Sequence, residues 1–187
     1  MFPFTEFIKQ YINLPKDVEN AIIDQLKFEE LKKGELLIKG KRVCTRLYFL
    51  ETGTLRSFFY RGTKDITYWI YKEGQMITAW NSFIHEEACT ESFEVVEHCK
   101  VSSITHEQWY ALLDEYPILD KFYRLLLEEQ MAAIDEFYKG YFFMTAKEKY
   151  DLLISVFPNV TQIANLKHIA SMLGISQETL SRIRGVR

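Results

Sequence analysis

Four polar side chains near the end of the chain have the chemistry that proteins use to recognise the edges of DNA bases. These predicted base-reading residues are Gln177, Glu178, Ser181 and Arg182. Arginine pairs with two acceptors of guanine, glutamine pairs with adenine, and glutamate accepts from the amino group of cytosine. Because the first turn of a recognition helix enters the major groove, we expect Gln177 and Glu178 to reach deepest.

A second set of side chains suits contacts with phosphates, which position a protein on DNA without reading its sequence. These predicted phosphate contacts are Lys167, Ser176, Thr179 and Arg184. Residues 165–187 hold four basic side chains against one glutamate, a net charge of +3, whereas the whole chain has −3. Positive charge is therefore concentrated where DNA would lie, and the acidic remainder disfavours nonspecific binding.

The spacing of small and apolar residues around these side chains predicts two packed helices. The predicted inward positions are Ile169, Ala170, Leu173, Leu180 and Ile183. Gly174 suits a tight turn that needs positive φ, and Ser176 is a suitable N-cap for the second helix. Together these features predict a helix-turn-helix that reads double-stranded DNA. The alternative is a helical hairpin that contacts another protein, for which an apolar outer face would be expected.

Residues 118–144 predict one long helix with two apolar faces. One face alternates spacings of 4 and 3 residues, as in a coiled coil, and consists of Tyr123, Leu127, Gln130, Ile134, Phe137 and Tyr141. The other face, which we expect to pack on the preceding domain, consists of Leu119, Phe122, Leu126 and Ala133. We predict a homodimer through the first face; the alternative is that both faces are buried inside one protomer.

The part of the chain before this helix predicts short antiparallel strands after a helical lead-in at residues 4–30. Aromatic and β-branched residues recur between glycine-containing turns, in segments 36–38, 47–50, 55–60, 66–71 and 93–104. This pattern of short strands separated by turns is typical of a β-sandwich, β-barrel or jelly roll. We predict an α+β protein with a β domain (1–117), a dimerisation helix (118–144) and a DNA-reading domain (145–187). The last of these begins with an N-cap at Thr145.

Composition narrows the remaining function classes. Hydrophobic residues make up 48% of the 187 residues, which is ample for a packed core. The three cysteines, Cys44, Cys89 and Cys99, form no CxxC pair, so we expect neither a disulfide framework nor a zinc or iron–sulfur site, and no cofactor. We find no nucleophile–base arrangement or phosphate loop and expect no enzyme. Without a signal peptide or a membrane-length apolar run, we expect a cytoplasmic protein.

The order of these features resembles the Crp–Fnr (cyclic-AMP receptor / fumarate-nitrate regulator) family of transcription regulators. Gly-Ile-Ser-Gln-Glu-Thr-Leu-Ser-Arg-Ile at 174–183 resembles the family's recognition segment, and segments 31–40 and 47–56 resemble its first β-roll hairpins. The resemblance implies a double-stranded β-helix (jelly roll) sensor, a dimerisation helix and a winged-helix reader. In that reader, residues matching Gln177, Glu178 and Arg182 contact bases. The implied partners are double-stranded DNA, a second copy of the chain and, for an activator, RNA polymerase.

The chain departs from the family's pattern in two places. Cyclic-nucleotide binders hold the ribose with Gly-Glu and the phosphate with a later arginine, but here Thr78-Ala79 replaces Gly-Glu. No Lys or Arg lies between Lys72 and Lys100, so we expect an effector other than a cyclic nucleotide, of unknown identity. The β-wing that usually follows the recognition helix is missing, which predicts a short form or a minimal reader.

Two questions stay open at this point. The first concerns aromatic residues of the β domain such as Tyr68, Trp69, Trp80 and Phe83. These side chains either pack the core or line an apolar ligand pocket, and core packing is favoured because aromatic residues in strands are usually buried. The alternative to a DNA-binding regulator is a small-molecule receptor module that signals through protein–protein contact.

Overall fold

A computed structural model describes residues 3–185 of the chain, so the outer ends of the predicted domains 1–117 and 145–187 lie outside it. The first half contains α1 (Phe4–Lys9), α2 (Lys16–Gln25), β1 (Lys27–Leu31), β2 (Leu36–Ile38), β3 (Arg46–Arg61), β4 (Lys64–Lys72), β5 (Gln75–Ile77), α3 (Trp80–His85) and β6 (Ser92–Thr105). The second half contains α4 (His106–Glu115), α5 (Pro117–Tyr141), α6 (Ala146–Val156), α7 (Val160–Ile163), α8 (Leu166–Leu173) and α9 (Gln177–Gly185).

Two long strands organise an antiparallel sheet, as the strand pattern predicted. β3 pairs with β6 from Arg46 opposite Thr105 to Phe58 opposite Ser92. β1 and β2 pair with β6, whereas β4 and β5 pair with β3. The β3–β6 register shifts repeatedly between Leu50 and Leu55, and such shifts bend and twist a strand pair. Some buried residues of the sheet enclose an apolar interior within the β domain. Other buried residues of the sheet pack against the helices.

The sequence pattern predicted a glycine-containing turn between segments 47–50 and 55–60, at Thr52 and Gly53. This prediction was wrong, because β3 continues through both residues without ending. Gly53 has a φ of 95°, and a Cβ there would collide with the carbonyl oxygen of His98 and lie 2.7 Å from Cys99 Sγ. Only glycine permits β3 and β6 to approach so closely at this point. The glycine therefore allows a bend within a strand.

Four short elements were missed by the sequence interpretation, namely β1, β5, α3 and α7. Residues 4–30 form not only two helices but also most of β1, whose side chains are half-exposed and lack a clear alternation. β5 and α3 are too short to show a period. Thr105 caps α4 through a capping box with Gln108, and Thr145, the predicted N-cap, caps α6 through a reciprocal capping box with Glu148.

The first half of α5 packs against the rest of the protomer. Leu119, Phe122 and Leu126 are buried with Trp109 in the same core, as predicted, but Ala133 is exposed because it lies beyond the end of that core. Tyr123 is also buried there, with 8% of its surface exposed, so it has no free surface for a partner. Its predicted place in the dimer interface was wrong, since this helical turn already has a partner within the chain. Among the described residues, no helix is long and apolar enough to cross a membrane.

Gly53→Ala should destabilise the protein strongly, since the new methyl group meets backbone atoms at a positive φ. We expect the free energy of unfolding to fall by about 3 kcal/mol or more. The matched control is Gly62→Ala, where φ is 63° but no heavy atom lies within 4 Å, so about 1 kcal/mol is expected. Urea unfolding of both variants gives the comparison, and equal losses would show that the close approach of β3 to β6 contributes nothing.

Candidate nucleic-acid interface

Helices α8 and α9 meet at a turn that their sequence determines locally. The side chain of Asn165 accepts from the backbone N–H of Lys167 and caps α8. Gly174 ends α8 with a φ of 68°, and the N–H of Ile175 donates to the carbonyl of Ala170 at 3.0 Å. This is the pattern of a glycine C-cap, in which a left-handed residue returns the chain toward the helix end. The turn has the geometry that Gly174 predicted.

A small apolar core fixes α9 against its neighbours. Leu180 is fully buried, as are Ile169 and Ala170 of α8, and Ile183 packs at the edge. The backbone N–H of Thr179 donates to Ser176 Oγ at 3.1 Å, which makes Ser176 the N-cap of α9. The buried side of α9 is thus fully occupied within the protomer, and its other side faces solvent.

The four predicted base-reading residues lie together on that exposed side. Gln177, Glu178, Ser181 and Arg182 are all exposed. Hydrogen bonds from the backbone N–H of Glu178 and from Ser176 lower the pKa of the Glu178 carboxyl, so it is an ionised acceptor. One exposed surface therefore offers an acceptor, an amide, a hydroxyl and a guanidinium, which are the groups needed to discriminate base pairs.

The predicted phosphate contacts fall into two kinds. Lys167 and Arg184 are exposed cations at the start of α8 and the end of α9. The hydroxyls of Ser176 and Thr179 lie 3.1 Å apart, and Arg182 Nη2 donates to Thr179 Oγ1 at 3.4 Å. These two hydroxyls thus order the first turn of α9 and the side chain of Arg182.

The sequence interpretation missed that α8 packs on β4. Ser171 Oγ accepts from the backbone N–H of Thr67 at 3.0 Å, and Thr67 Oγ1 lies 3.3 Å from His168 Nδ1. His168 is half-buried at this junction. No local pattern could reveal the contact, because Thr67 is about 100 residues away in sequence.

A buried arginine lies beneath this junction. Arg56 of β3 is 4% exposed, and its Nη1 and Nη2 donate to the two carboxylate oxygens of Asp65 at 2.7 and 2.8 Å. Its Nε donates to Glu94 at 2.6 Å, and Nη1 also donates to Thr67 Oγ1 at 2.8 Å. Such a bidentate pair, closed by further hydrogen bonds, satisfies a charge that would otherwise be costly to bury.

The segment where cyclic-nucleotide binders hold their ligand is packed differently here. Thr78 and Ala79 are buried, and Thr78 Oγ1 donates to the carbonyl of Arg46 at 2.9 Å. Phe83 is fully buried, as a core aromatic should be, but Tyr68 and Trp69 keep 40% and 38% of their surface exposed. The preference for core packing thus holds for Phe83, against whose core Trp80 also packs, and is wrong for Tyr68 and Trp69, which stay partly exposed.

The second half of α5 has a largely exposed apolar face, on which one ring, that of Tyr138, lies 5.6 Å from Phe142 just beyond the helix. We call it the α5 apolar face; it consists of Leu127, Met131, Ile134 and Tyr138, which are 39%, 68%, 52% and 58% exposed. Phe137 and Tyr141, which were predicted for the interface, contact the same protomer. The Phe137 ring lies 5.8 Å from that of Trp69, and Tyr141 Oη donates to the carbonyl of Met172 at 3.1 Å. Gln130 is exposed.

Comparison with known proteins agrees with this architecture. Residues 28–116 match the family model of the cyclic nucleotide-binding domain. No curated protein sequence matches the chain.

Solved structures match over nearly the whole chain. The catabolite activator protein of Thermus thermophilus is 17% identical, with 94% of this chain and 84% of that chain covered and a TM-score of 0.59. A protein from Eubacterium rectale assigned to the Crp/Fnr family of transcriptional regulators is 16% identical, with 93% and 85% covered and a TM-score of 0.68. Residues 28–116 therefore match the cyclic nucleotide-binding domain family, and the chain shares the fold of the Crp–Fnr regulators, as its sequence resemblance indicated.

Proposed function

We propose that this chain is a transcription regulator that reads duplex DNA through α9. The observation that carries the proposal is the exposed polar surface of Gln177, Glu178, Ser181 and Arg182 on a helix whose opposite side is anchored by buried Leu180. A helix held in this way can enter the major groove without rearranging its own core. No exposed apolar residue lies on the described part of α9, which disfavours the alternative of a protein-docking hairpin.

The regulator acts as a homodimer that reads a two-fold symmetric site. The α5 apolar face supplies the interface, because its spacings of 4, 3 and 4 residues form a continuous stripe along the helix. This stripe shares Leu127 and Ile134 with the coiled-coil face that the sequence predicted. Met131 and Tyr138 take the place of the other members of that face, which are Tyr123, Gln130, Phe137 and Tyr141. Two copies related by this face would present two α9 helices to half-sites about one helical turn apart.

The β domain serves as a sensor for an effector other than a cyclic nucleotide. Arg56, a buried cation of this domain, is neutralised by Asp65 and Glu94, and no Lys or Arg lies between Lys72 and Lys100. A cyclic phosphate placed in the interior would therefore lack the charge-assisted pair that phosphate recognition uses. RNA polymerase is a further partner if the regulator activates transcription.

Arg182→Ala should relax sequence recognition, because the exposed guanidinium contacts a base edge. Selection from a random duplex library by the unaltered protein should return an inverted repeat, with affinity that falls steeply as salt rises. The variant should lose preference at one position of each half-site, by about 1–3 kcal/mol. Arg184→Ala is the matched control, since it should weaken binding to all sequences alike and flatten the salt dependence. An Arg182→Ala variant that selects an unchanged sequence would refute base reading by this residue.

Ile134→Glu should convert the dimer to a monomer, since two uncompensated carboxylates would enter the apolar interface. We expect the dimer to weaken by about 100-fold or more, measured by analytical ultracentrifugation. Ala132→Glu introduces the same charge at an exposed position on the other side of α5 and should leave the dimer intact. If both variants associate like the unaltered protein, the dimer does not use the α5 apolar face.

A further inference from the structure

The contact between α8 and β4 joins the candidate DNA-reading helices to the β domain of the same chain. His168 and Ser171 are three residues apart on α8 and therefore lie on one face of the helix. Both meet Thr67, through its hydroxyl and its backbone N–H respectively. The β3–β4 register shifts between Ser57 and Phe58, opposite this point, so the strand pair is irregular where α8 is received.

Apolar packing continues the contact on both sides. Ile70 of β4 and Val96 of β6 are each 7% exposed, and they belong to the same buried group as Ile169 and Leu173 of α8. Lys72 Nζ also donates to the carbonyl of Val156 at the end of α6, at 2.9 Å. The helices after α5 thus share part of their core with the outer surface of the sheet.

The hydrogen bonds at Thr67 favour a neutral His168. Thr67 Oγ1 already accepts from Arg56 Nη1 at 2.8 Å, so its own hydroxyl hydrogen is satisfied by donation to an unprotonated Nδ1. A protonated imidazole would leave that hydrogen without an acceptor at this position and would place a second cation beside Arg56. The polar network is therefore complete only with the uncharged ring.

The surroundings of His168 act in the same direction. Burial, followed by the charge of Arg56, lowers the pKa of His168 from its ordinary value, and Lys167 adds to this effect. Asp65 and Glu94 oppose it, but both carboxylates are paired with Arg56. An undocked His168 would thus bind a proton at a higher pH than the docked one. Docking is consequently unaffected well above about pH 6.5 and is weakened as the pH falls below it.

We propose that Thr67, His168 and Ser171 form a latch that holds α8 and α9 at a fixed orientation on the β domain, and that protonation of His168 opens it. The consequence for DNA rests on the proposed function. With the latch closed, Gln177, Arg182 and the rest of the reading surface are exposed, so the closed state is competent to bind. In a dimer, the latch sets the distance between the two α9 helices and hence the half-site spacing that the protein accepts.

The latch is tested first without DNA, by hydrogen exchange of the Thr67 backbone N–H in the full chain. The measured exchange rate is divided by the intrinsic rate of an unprotected amide at the same pH, so that only the protection by structure is compared. Ser171→Ala should reduce protection of this amide by roughly 5- to 10-fold, the effect of one lost hydrogen bond. Ser155→Ala, at an exposed serine of α6, should leave it unchanged.

The pH dependence is measured with the same amide at pH 7.5 and pH 5.5. The unaltered protein should lose protection at the lower pH, whereas His168→Gln should show the same protection at both. If protection in the unaltered protein does not change with pH, the switch is overturned. The switch is also overturned if protection in His168→Gln changes with pH as much as it does in the unaltered protein. Full protection of Thr67 in Ser171→Ala would overturn the latch itself.

The consequence for DNA is measured with duplexes whose half-sites, taken from the selected repeat, are moved apart in steps of one base pair. The unaltered protein should prefer one spacing at pH 7.5. Ser171→Ala should lose that preference while keeping its affinity for a single half-site, a result that simple misfolding would not produce. If the unaltered protein binds no duplex, the proposed function fails, and the exchange of the Thr67 amide still decides whether the latch exists.

Discussion

The buried guanidinium of Arg56 is the interaction on which the arrangement of the two halves depends. A charge with 4% exposure is tolerated only if its donors are satisfied, and here Glu94, Asp65 and Thr67 accept from it. These partners come from β6 and β4, so one side chain joins three strands. β4, together with Val96 of β6, supplies the surface that receives α8. A single electrostatic requirement thus fixes the sheet at the place where the second half of the chain packs on it.

The helices extend this organisation toward the proposed DNA surface. α5 is buried at its start, presents the α5 apolar face in its second half, and is joined near its end to α8 by the hydrogen bond from Tyr141 to Met172. The four predicted base-reading side chains follow on α9, whose cap and buried Leu180 hold it in place. The proposed dimer contact and the proposed DNA contact are therefore connected through elements that share packing and a hydrogen bond.

What could be predicted from sequence was what short-range physics determines. Gly174, the Ser176 cap and the apolar positions of α8 and α9 act within a few residues, and they predicted the helix pair correctly. Periodicity also located α5, but it could not tell which apolar face the rest of the protomer covers, so Tyr123 was misplaced. Gly53 was misread because a positive φ serves a bend as well as a turn. The junction of Arg56, Thr67 and His168 depends on pairing across about 100 residues, which leaves no local pattern.

The alternation of side chains along β3 separates two tasks within one strand. Leu55 belongs to the buried interior of the β domain, whereas the next residue, Arg56, points to the side that receives α8. A substitution at Leu55 would therefore change the packing of the interior, whereas a substitution at Arg56 would change the polar junction beside α8. One strand thus forms both the wall of the apolar interior and the polar support of the helices that follow α5.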